Sequence, residues 1–346
     1  MSDRLALVTG GTGYIASHLV PALTEAGWSV RTTGRRARPD SLPEAVEYQP
    51  ADLAGGAPLA LLLDGVTHLF HLAGASSSRS DADEMLRSNV VGTERLLTAA
   101  VAAGGPRVLH MSSTSVYGEE VQLPLPVKED VEPRPSRGYG KAKWEGEQIV
   151  WRFSRSGLPV SVVRPVSVHG PGAVKLLASA ILDVVLEKTM GVDAVAVHRV
   201  PIEQRLVHID DLVSACLHLI DHDAAVGRPF NVVSGVYPTS IEVATVLARE
   251  FGLPVELSDD PECGPSYEDR RLVRERFLDD GMNEDIILSR ERFRFMRKAN
   301  RNNRLSIDAL LATGFRPAHT DLAGDVAELT AWYRDRRWIP TDGLGR

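Results

Sequence analysis

Leu5-Ala-Leu-Val-Thr-Gly-Gly-Thr-Gly-Tyr-Ile-Ala-Ser-His18 is an apolar run that breaks into glycines and then into a helical pattern. Leu5, Leu7 and Val8 read as a buried first strand. Gly10 and Gly13 allow a sharp turn and a close backbone approach to a pyrophosphate. Ala16 is the third small position, where helix and strand pack closely. A helix opening near Tyr14 offers N–H groups and the positive end of its dipole to phosphates, so Gly10, Thr12, Gly13, Tyr14 and Ile15 form the expected cofactor turn. A glycine pattern alone is a weak signal. Its weight comes from the strand before it, the helix after it and a second strand over Ser29–Thr33.

The chain has 346 residues, 43% hydrophobic and 25% charged, which suits a globular protein with a large core and two lobes. A net charge of −7 argues against nucleic acid as a partner, because that affinity rests on basic surface. Cys216 and Cys263 have no metal-ligand spacing and imply no disulfide framework, so a reducing cytoplasm is the expected compartment. The chain enters a strand within a few residues, with no leader-like stretch, and no apolar run is long enough to span a bilayer. No membrane partner is expected.

The first helix is expected from 14 to 26, with Gly27 as its stop and a slight kink at Pro21. The second strand runs into Gly34-Arg35-Arg36. NAD-binding versions of this turn place an acid here for the ribose hydroxyls, whereas arginine accommodates the 2′-phosphate of NADP. Gly34 holds the acidic position and two guanidiniums follow, which predicts NADP; a solvated basic turn is the plainer alternative. A third strand over 44–49 leads to Asp52 and Leu53, with Asp52 placed to accept from an adenine amino group. The fourth strand, His68–His71, ends in Leu72-Ala73-Gly74, small residues that let backbone line a cofactor cleft.

A polar loop at 76–80 precedes a helix containing Asn89-Val-Val-Gly-Thr93, and the fifth strand, Arg107–Met111, runs into Ser112-Ser-Thr-Ser-Val-Tyr-Gly118. After a proline-rich loop at 124–135, a helix opens with Gly138-Tyr-Gly-Lys-Ala-Lys143. A buried strand over 158–163 then leads to Arg164-Pro-Val-Ser-Val-His-Gly-Pro-Gly172. This alternation predicts an α/β fold, a Rossmann-type doubly wound parallel sheet with right-handed crossovers and ligands at its carboxyl edge. Beyond it 176–186 looks helical, 206–211 enters another helix and 230–233 is a late strand. The expected division is a nucleotide-binding domain over 1–172, with late sheet elements near 206–235. A smaller, discontinuous C-terminal substrate lobe is expected from 173–205 and 236–346.

Tyr139 and Lys143 are four apart, so both fall on one helix face. A phenol that acts as general acid at neutral pH needs its pKa brought down from about 10. A lysine one turn away does this electrostatically and can also hold a nicotinamide ribose. Ser113, at the end of the fifth strand, is placed to fix a substrate carbonyl beside the phenol, with Thr114 and Ser115 as neighbours. The bland alternative is a surface Tyr/Lys pair on an amphipathic helix.

Thr9-Gly-Gly-Thr-Gly-Tyr-Ile-Ala16, His71-Leu-Ala-Gly74, Asn89-Val-Val-Gly-Thr93, Ser112–Gly118 as quoted, Tyr139-Gly-Lys-Ala-Lys143, the Arg164 stretch and Val207-His-Ile-Asp-Asp211 occur in one order over about residues 5 to 235. In this the chain resembles the extended short-chain dehydrogenases/reductases, the branch of nucleotide-sugar epimerases, dehydratases and dihydroflavonol-reductase-like carbonyl reductases. The resemblance implies Ser113, Tyr139 and Lys143 as the catalytic set. It also puts Leu72, Ala73, Gly74, Pro165 and Val168 beside the cofactor, and implies a homodimer built on helices around 91–102 and 139–150.

The departures from the family pattern are informative. Dehydratases of this family usually carry an acidic pair after the catalytic threonine, and Thr114 and Ser115 hold those places here. Nucleotide-sugar members commonly have Asn where Ser167 stands, and Arg where Gln204 stands, with Arg205 shifted by one. The stretch from Gly27 to Arg35 looks closer to the carbonyl-reductase pattern. The expectation is therefore an NADPH-dependent ketoreductase acting on a small-molecule ketone of a specialised metabolite or sugar-like scaffold, with Tyr139 as general acid. The alternatives are a nucleotide-sugar epimerase with tightly bound NAD and a non-catalytic, redox-sensing dinucleotide binder.

Residues 268–301 add a dense run of charges broken by Leu272, Val273, Phe277, Ile286, Ile287, Phe293 and Met296. They read as one or two amphipathic helices with Gly281 between them. A solvated decoration or subunit contact is the plain reading, and a helical lid over the substrate cleft the sharper one. His218 and His222 share a helix face without an evident third ligand, so no metal site is expected.

Overall fold

The computed structural model describes residues 4–75, 81–118, 123–293, 296 and 304–341. The loop expected at 76–80 and the end of the 268–301 segment lie outside the described residues. The first part of the chain runs β1 (Leu5–Thr9), α1 (Tyr14–Glu25), β2 (Ser29–Thr33), β3 (Glu47–Tyr48), α2 (Ala60–Leu63), β4 (His68–His71), α3 (Ala82–Leu86), a π-helical turn (Arg87–Val91), α4 (Gly92–Ala102) and β5 (Arg107–Met111). A 3₁₀ turn (Thr114–Tyr117), α5 (Gly138–Arg155), β6 (Val160–Pro165), β7 (Ser167–His169), α6 (Leu177–Met190), β8 (Val195–His198), β9 (Leu206–His208) and α7 (Ile209–Ile220) follow. The last elements are β10 (Pro229–Val232), α8 (Ser240–Glu250), β11 (Val255–Ser258), α9 (Tyr267–Asp279), α10 (Asp308–Ala312) and α11 (Leu322–Asp335).

Two compact units result: one holds Met1–Val166, Asp210–Val233 and Leu305–Arg316, the other Ser167–Ile209, Ser234–Arg304 and Pro317–Arg346. The first unit contains a seven-stranded sheet in the order β10-β6-β5-β4-β1-β2-β3, parallel throughout. Its central strands β1, β4, β5 and β6 are buried at nearly every position, as in a parallel sheet covered on both faces. On one face Leu7, Leu69, Val108, Val160 and Val162 pack against Leu63, Leu96, Leu97 and Val150 from α2, α4 and α5. Each such side chain contributes about 1.5–3 kcal/mol by leaving water.

Three expected boundaries move. The third strand shrinks to Glu47–Tyr48 because Val46 N–H closes a turn onto Pro43. The helix expected over 176–186 extends to Met190, where left-handed Gly191 stops it. The lobe boundary falls at Val166, and Leu305–Arg316 returns to the first unit. There Ser306 N–H donates to Val127 O at 2.9 Å, and Asn231 Nδ2 donates to Ser306 O at 3.1 Å.

In the second unit β7 pairs with β9 and β8 with β11, and α6 is buried along nearly its whole length. The charged segment starts with one helix, α9, opened by a Ser266/Asp269 capping box. Gly281 follows at φ +77°, and 282–293 is irregular. This part is not a solvated decoration. Arg270 of α9 donates to Asp183 of α6 at 2.5 Å, both side chains being 1% exposed, and Arg292 pairs with Glu187 of the same helix. Phe293 N–H also donates to Asp183, at 3.0 Å. A lid hinged here would have to break buried ion pairs each time it opened.

Candidate active site

The glycine turn after β1 fits a dinucleotide phosphate. Gly10 has φ +75°, and a Cβ there would sit 3.0 Å from the backbone of Ala73. The N-cap of α1 is Gly13, so no side chain caps the helix and no acid occupies its first turn. Its N–H groups and dipole are therefore left to an anion, with no carboxylate in that turn to compete. Thr12, Tyr14 and Ile15 lie in this turn and the start of α1.

At the end of β2, a side chain on Gly34 would meet Tyr48 Oη at 3.1 Å and Thr12. Arg35 is 58% exposed and pairs with Glu84 of α3 at 2.8 Å; Arg36 is exposed beside it, and its carbonyl accepts from Tyr48. Asp52 is drawn into protein contacts: Arg87 donates to one oxygen at 2.6 Å and Ala54 N–H to the other at 3.0 Å. The acceptor expected for adenine is thus shared with a guanidinium that the sequence reading did not assign. Leu53 is buried next to it.

Close approach at two glycines of α5 brings the catalytic candidates together. A Cβ on Gly140 would lie 2.4 Å from Ser115 O, and one on Gly146 would lie 2.4 Å from Asn89 O. Helix α5 can therefore press directly on the turn after β5 and on the π-helical turn. The Tyr139 ring packs against Ala75, Met85 and Ala142, and its hydroxyl hydrogen-bonds Ser113. Ser113 Oγ also accepts from Ser115 N–H at 3.2 Å. Lys143 is 5% exposed, donates to Met111 O at 3.0 Å and lies 5.9 Å from the Tyr139 ring centre. Pro165, at the end of β6, accepts from Thr114 at 3.3 Å. Val168 lies on β7 in the second unit.

One electrostatic expectation is corrected. Burial outweighs every other influence on Tyr139 and pushes its phenol up to about 12, with the Ser113 hydrogen bond opposing. Burial also brings the Lys143 ammonium down to about 8, with Glu147 opposing. The phenol is therefore a neutral proton donor across the physiological range, and the lysine is the group that titrates near it. The sign follows: Lys143 is charged below about pH 8 and loses its charge as pH rises through that value. Cofactor-dependent turnover is expected to fall on an alkaline limb centred near that pH, which a pH profile of kcat/KM checks.

The sequence reading missed the polar frame beneath these residues. His71 bridges Thr9 at 2.8 Å and Thr93 at 2.9 Å, and burial keeps it neutral with a pKa of about 3. This ties β1, β4 and α4 together directly under Ala73. Glu147, four residues beyond Lys143, is fully buried and pairs with Arg164 of β6. The i+4 spacing was the available signal. His218 hydrogen-bonds Thr313 Oγ1 at 2.9 Å, and α7 ends before His222. In the second unit Gln204 is buried and donates to Ile202 O at 2.8 Å.

The sequence profile of the NAD dependent epimerase/dehydratase family matches residues 6–233. Among curated relatives, the GDP-6-deoxy-D-mannose reductase of Pseudomonas aeruginosa is 29% identical over 282 residues, 79% of this chain and 88% of that protein. The 4-hydroxy-2-methyl-3-oxo-4-farnesyl-3,4-dihydroquinoline-1-oxide ketoreductase of Stigmatella aurantiaca is 35% identical over 167 residues, 47% of this chain and 50% of that one. Among solved structures, MoeE5 in complex with UDP-glucuronic acid and NAD superposes with a TM-score of 0.69 at 26% identity, covering 95% of this chain and 99% of its own. No helix of the described residues is long and apolar enough to cross a membrane.

Proposed function

Because the chain belongs to the NAD dependent epimerase/dehydratase family, and so to the NAD(P)-dependent enzymes of the extended short-chain dehydrogenases/reductases, we propose that it is an NADPH-dependent ketoreductase. The observation that carries this reading is the Ser113–Tyr139–Lys143 cluster, a half-buried phenol with a serine at its hydroxyl and a lysine one helical turn away. Such a group gives a proton to a carbonyl oxygen as hydride arrives at its carbon. The nicotinamide supplies that hydride when bound.

Tyr139 gives the oxygen its proton, and Ser113 fixes the carbonyl against it. Lys143 holds the ribose and supports the phenol electrostatically as its proton leaves. Gly10, Thr12, Gly13, Tyr14 and Ile15 hold the pyrophosphate at the start of α1, with Leu72, Ala73 and Gly74 lining the cleft. Arg35 and Arg36 take the 2′-phosphate. The exposed Arg35–Glu84 pair is no obstacle, because pairs of this kind are worth about 0–1 kcal/mol. The buried, internally bonded Gln204 supports a substrate other than a nucleotide sugar, since it does not present the guanidinium that diphosphates favour.

The test is NADPH oxidation followed at its absorbance maximum against a panel of ketones, with NADH in parallel. Turnover with NADPH and not with NADH supports the reading; a UDP-sugar epimerised without net NADPH loss sinks it. The Arg35→Ser/Arg36→Ser protein is expected to lose about tenfold or more in NADPH affinity, as charge-assisted contacts of about 1.5–3 kcal/mol disappear. Its NADH affinity should stay within about twofold. Equal losses for both nucleotides would show that the arginines do not read the 2′-phosphate. The alternative reading, an epimerase that keeps NAD, draws on the nucleotide sugar and NAD bound by MoeE5.

A further inference from the structure

Glu147 has more partners than a surface-oriented helix residue needs. It is fully buried on α5, and each of its carboxylate oxygens accepts twice. Trp151 Nε1 donates to Oε1 at 3.0 Å, and Arg164 Nη2 donates to the same atom. Ser112 Oγ donates to Oε2 at 2.6 Å, and Arg164 Nε at 3.2 Å. A carboxylate so filled holds one position.

That position bears on the reacting groups from two sides. Ser112 immediately precedes Ser113, so its bond to Glu147 ties the end of β5 to α5 at the level of the serine. Lys143 is one helical turn back, so the two side chains leave α5 on the same face, and both are buried. Arg164 extends the frame: it donates to Tyr117 Oη at 2.8 Å, Tyr117 donates to Asn231 Oδ1 at 2.8 Å, and Asn231 N–H donates to Glu129 at 3.0 Å. The turn that carries Ser113 is thus held at both ends, by Ser112 and by Tyr117.

We propose that Glu147 is a positioning residue for the reaction: its buried carboxylate keeps Lys143 charged and clamps Ser112, so that Ser113, Tyr139 and Lys143 hold one geometry. The roles of those three groups rest on the ketoreductase reading above. Glu147 is the carboxylate that opposes the desolvation of Lys143. Among the described residues, the other groups facing Lys143 offer no counter-charge. His71 on β4 and His110 on β5 are kept neutral by burial, and Tyr139 on α5 is a neutral phenol. Asn89 Oδ1, on the π-helical turn, approaches from across Gly74: a Cβ there would lie 2.5 Å from that oxygen and 2.9 Å from Lys143 Nζ. Arg164 itself is a second cation behind the carboxylate.

The experiment is a pH titration of the Lys143 side-chain nitrogen by NMR on ¹⁵N-lysine-labelled protein, assigned with Lys143→Arg, in the wild type and in Glu147→Gln. The wild-type midpoint should lie near 8, and in Glu147→Gln it should fall by about one pH unit or more, a tenfold change in the protonation constant. The alkaline limb of kcat should move with it, while KM for a ketone stays within about twofold. A folded Glu147→Gln protein whose Lys143 midpoint is unmoved overturns the proposal. If that variant does not fold, Ser112→Ala carries the test, since it removes one donor and no charge: kcat should fall about fivefold or more with unchanged nucleotide affinity. An unchanged kcat there overturns the proposal as well. The NMR titration needs no substrate, so a moved midpoint in a protein that reduces no ketone would fault the ketoreductase reading and leave the placement of Glu147 standing.

Discussion

A Tyr139→Phe protein is expected to bind NADPH as tightly as the wild type and to reduce ketones about 10²–10⁴-fold more slowly, the usual contribution of a positioned general acid. The fold should tolerate the change. Phenylalanine keeps the ring that packs against Ala75, Met85 and Ala142 and removes only the hydroxyl bonded to Ser113. The neighbouring hydroxyls cannot substitute. Ser113 Oγ and Ser115 Oγ are 3.3 Å apart, but aliphatic hydroxyls are far weaker acids than a phenol. Stopped-flow measurement of NADPH oxidation, with nucleotide affinity determined separately by fluorescence, checks the prediction. Near-wild-type turnover with intact binding would remove Tyr139 from the chemistry.

Arg270→Ala is expected to destabilise the protein by about 3–5 kcal/mol, because it leaves Asp183 as an uncompensated buried charge. The loss reaches beyond one pair. Arg270 also donates to the carbonyls of Ser289 and Arg290, each at 3.1 Å, so the segment after Gly281 loses two bonds to α9 and keeps those from Arg274 to the Glu284 and Ile286 carbonyls. Among the described residues, the bond Asp183 then keeps is that from Phe293 N–H. Replacing both partners, as Arg270→Met with Asp183→Leu, should recover most of the loss, since apolar side chains of similar volume satisfy a buried site. Urea unfolding of the two variants and the wild type decides between these outcomes. A single variant within about 0.5 kcal/mol of wild type would mean that α9 is a solvated attachment after all.

The sheet was legible because its signals are local and redundant. Leu5, Leu7 and Val8 form a buried run, Gly10 turns it, and Tyr14 opens the helix, each step agreeing with the next. The boundary at Val166 and the return of Leu305–Arg316 were not legible. They depend on long-range bonds, such as Ser306 to Val127, that leave no periodic trace. At the site, the i, i+4 spacing gave the shared face of Tyr139 and Lys143. The spacing could not show that burial, more than the lysine, sets the phenol. Asp52 illustrates a second limit: its partner Arg87 lies 35 residues away, and only the fold brings the two to 2.6 Å. The ion pairs of α6 show the same limit: Asp183 and Glu187 stand in an apolar helix, and only the fold sets Arg270 and Arg292 against them.

A reductase that takes up NADPH afresh for each turnover is recognised by the nucleotide content of the purified protein. Mass spectrometry of the supernatant after denaturation, followed by fluorescence titration of the native protein with NADPH and NADH, gives the answer. The expected result is no stoichiometric nucleotide in the supernatant and NADPH binding about tenfold or more tighter than NADH, the effect of one or two charge-assisted contacts to the 2′-phosphate. One equivalent of NAD released on denaturation, with no preference for NADPH, would contradict it and assign the Tyr139 cluster to a recycling epimerase.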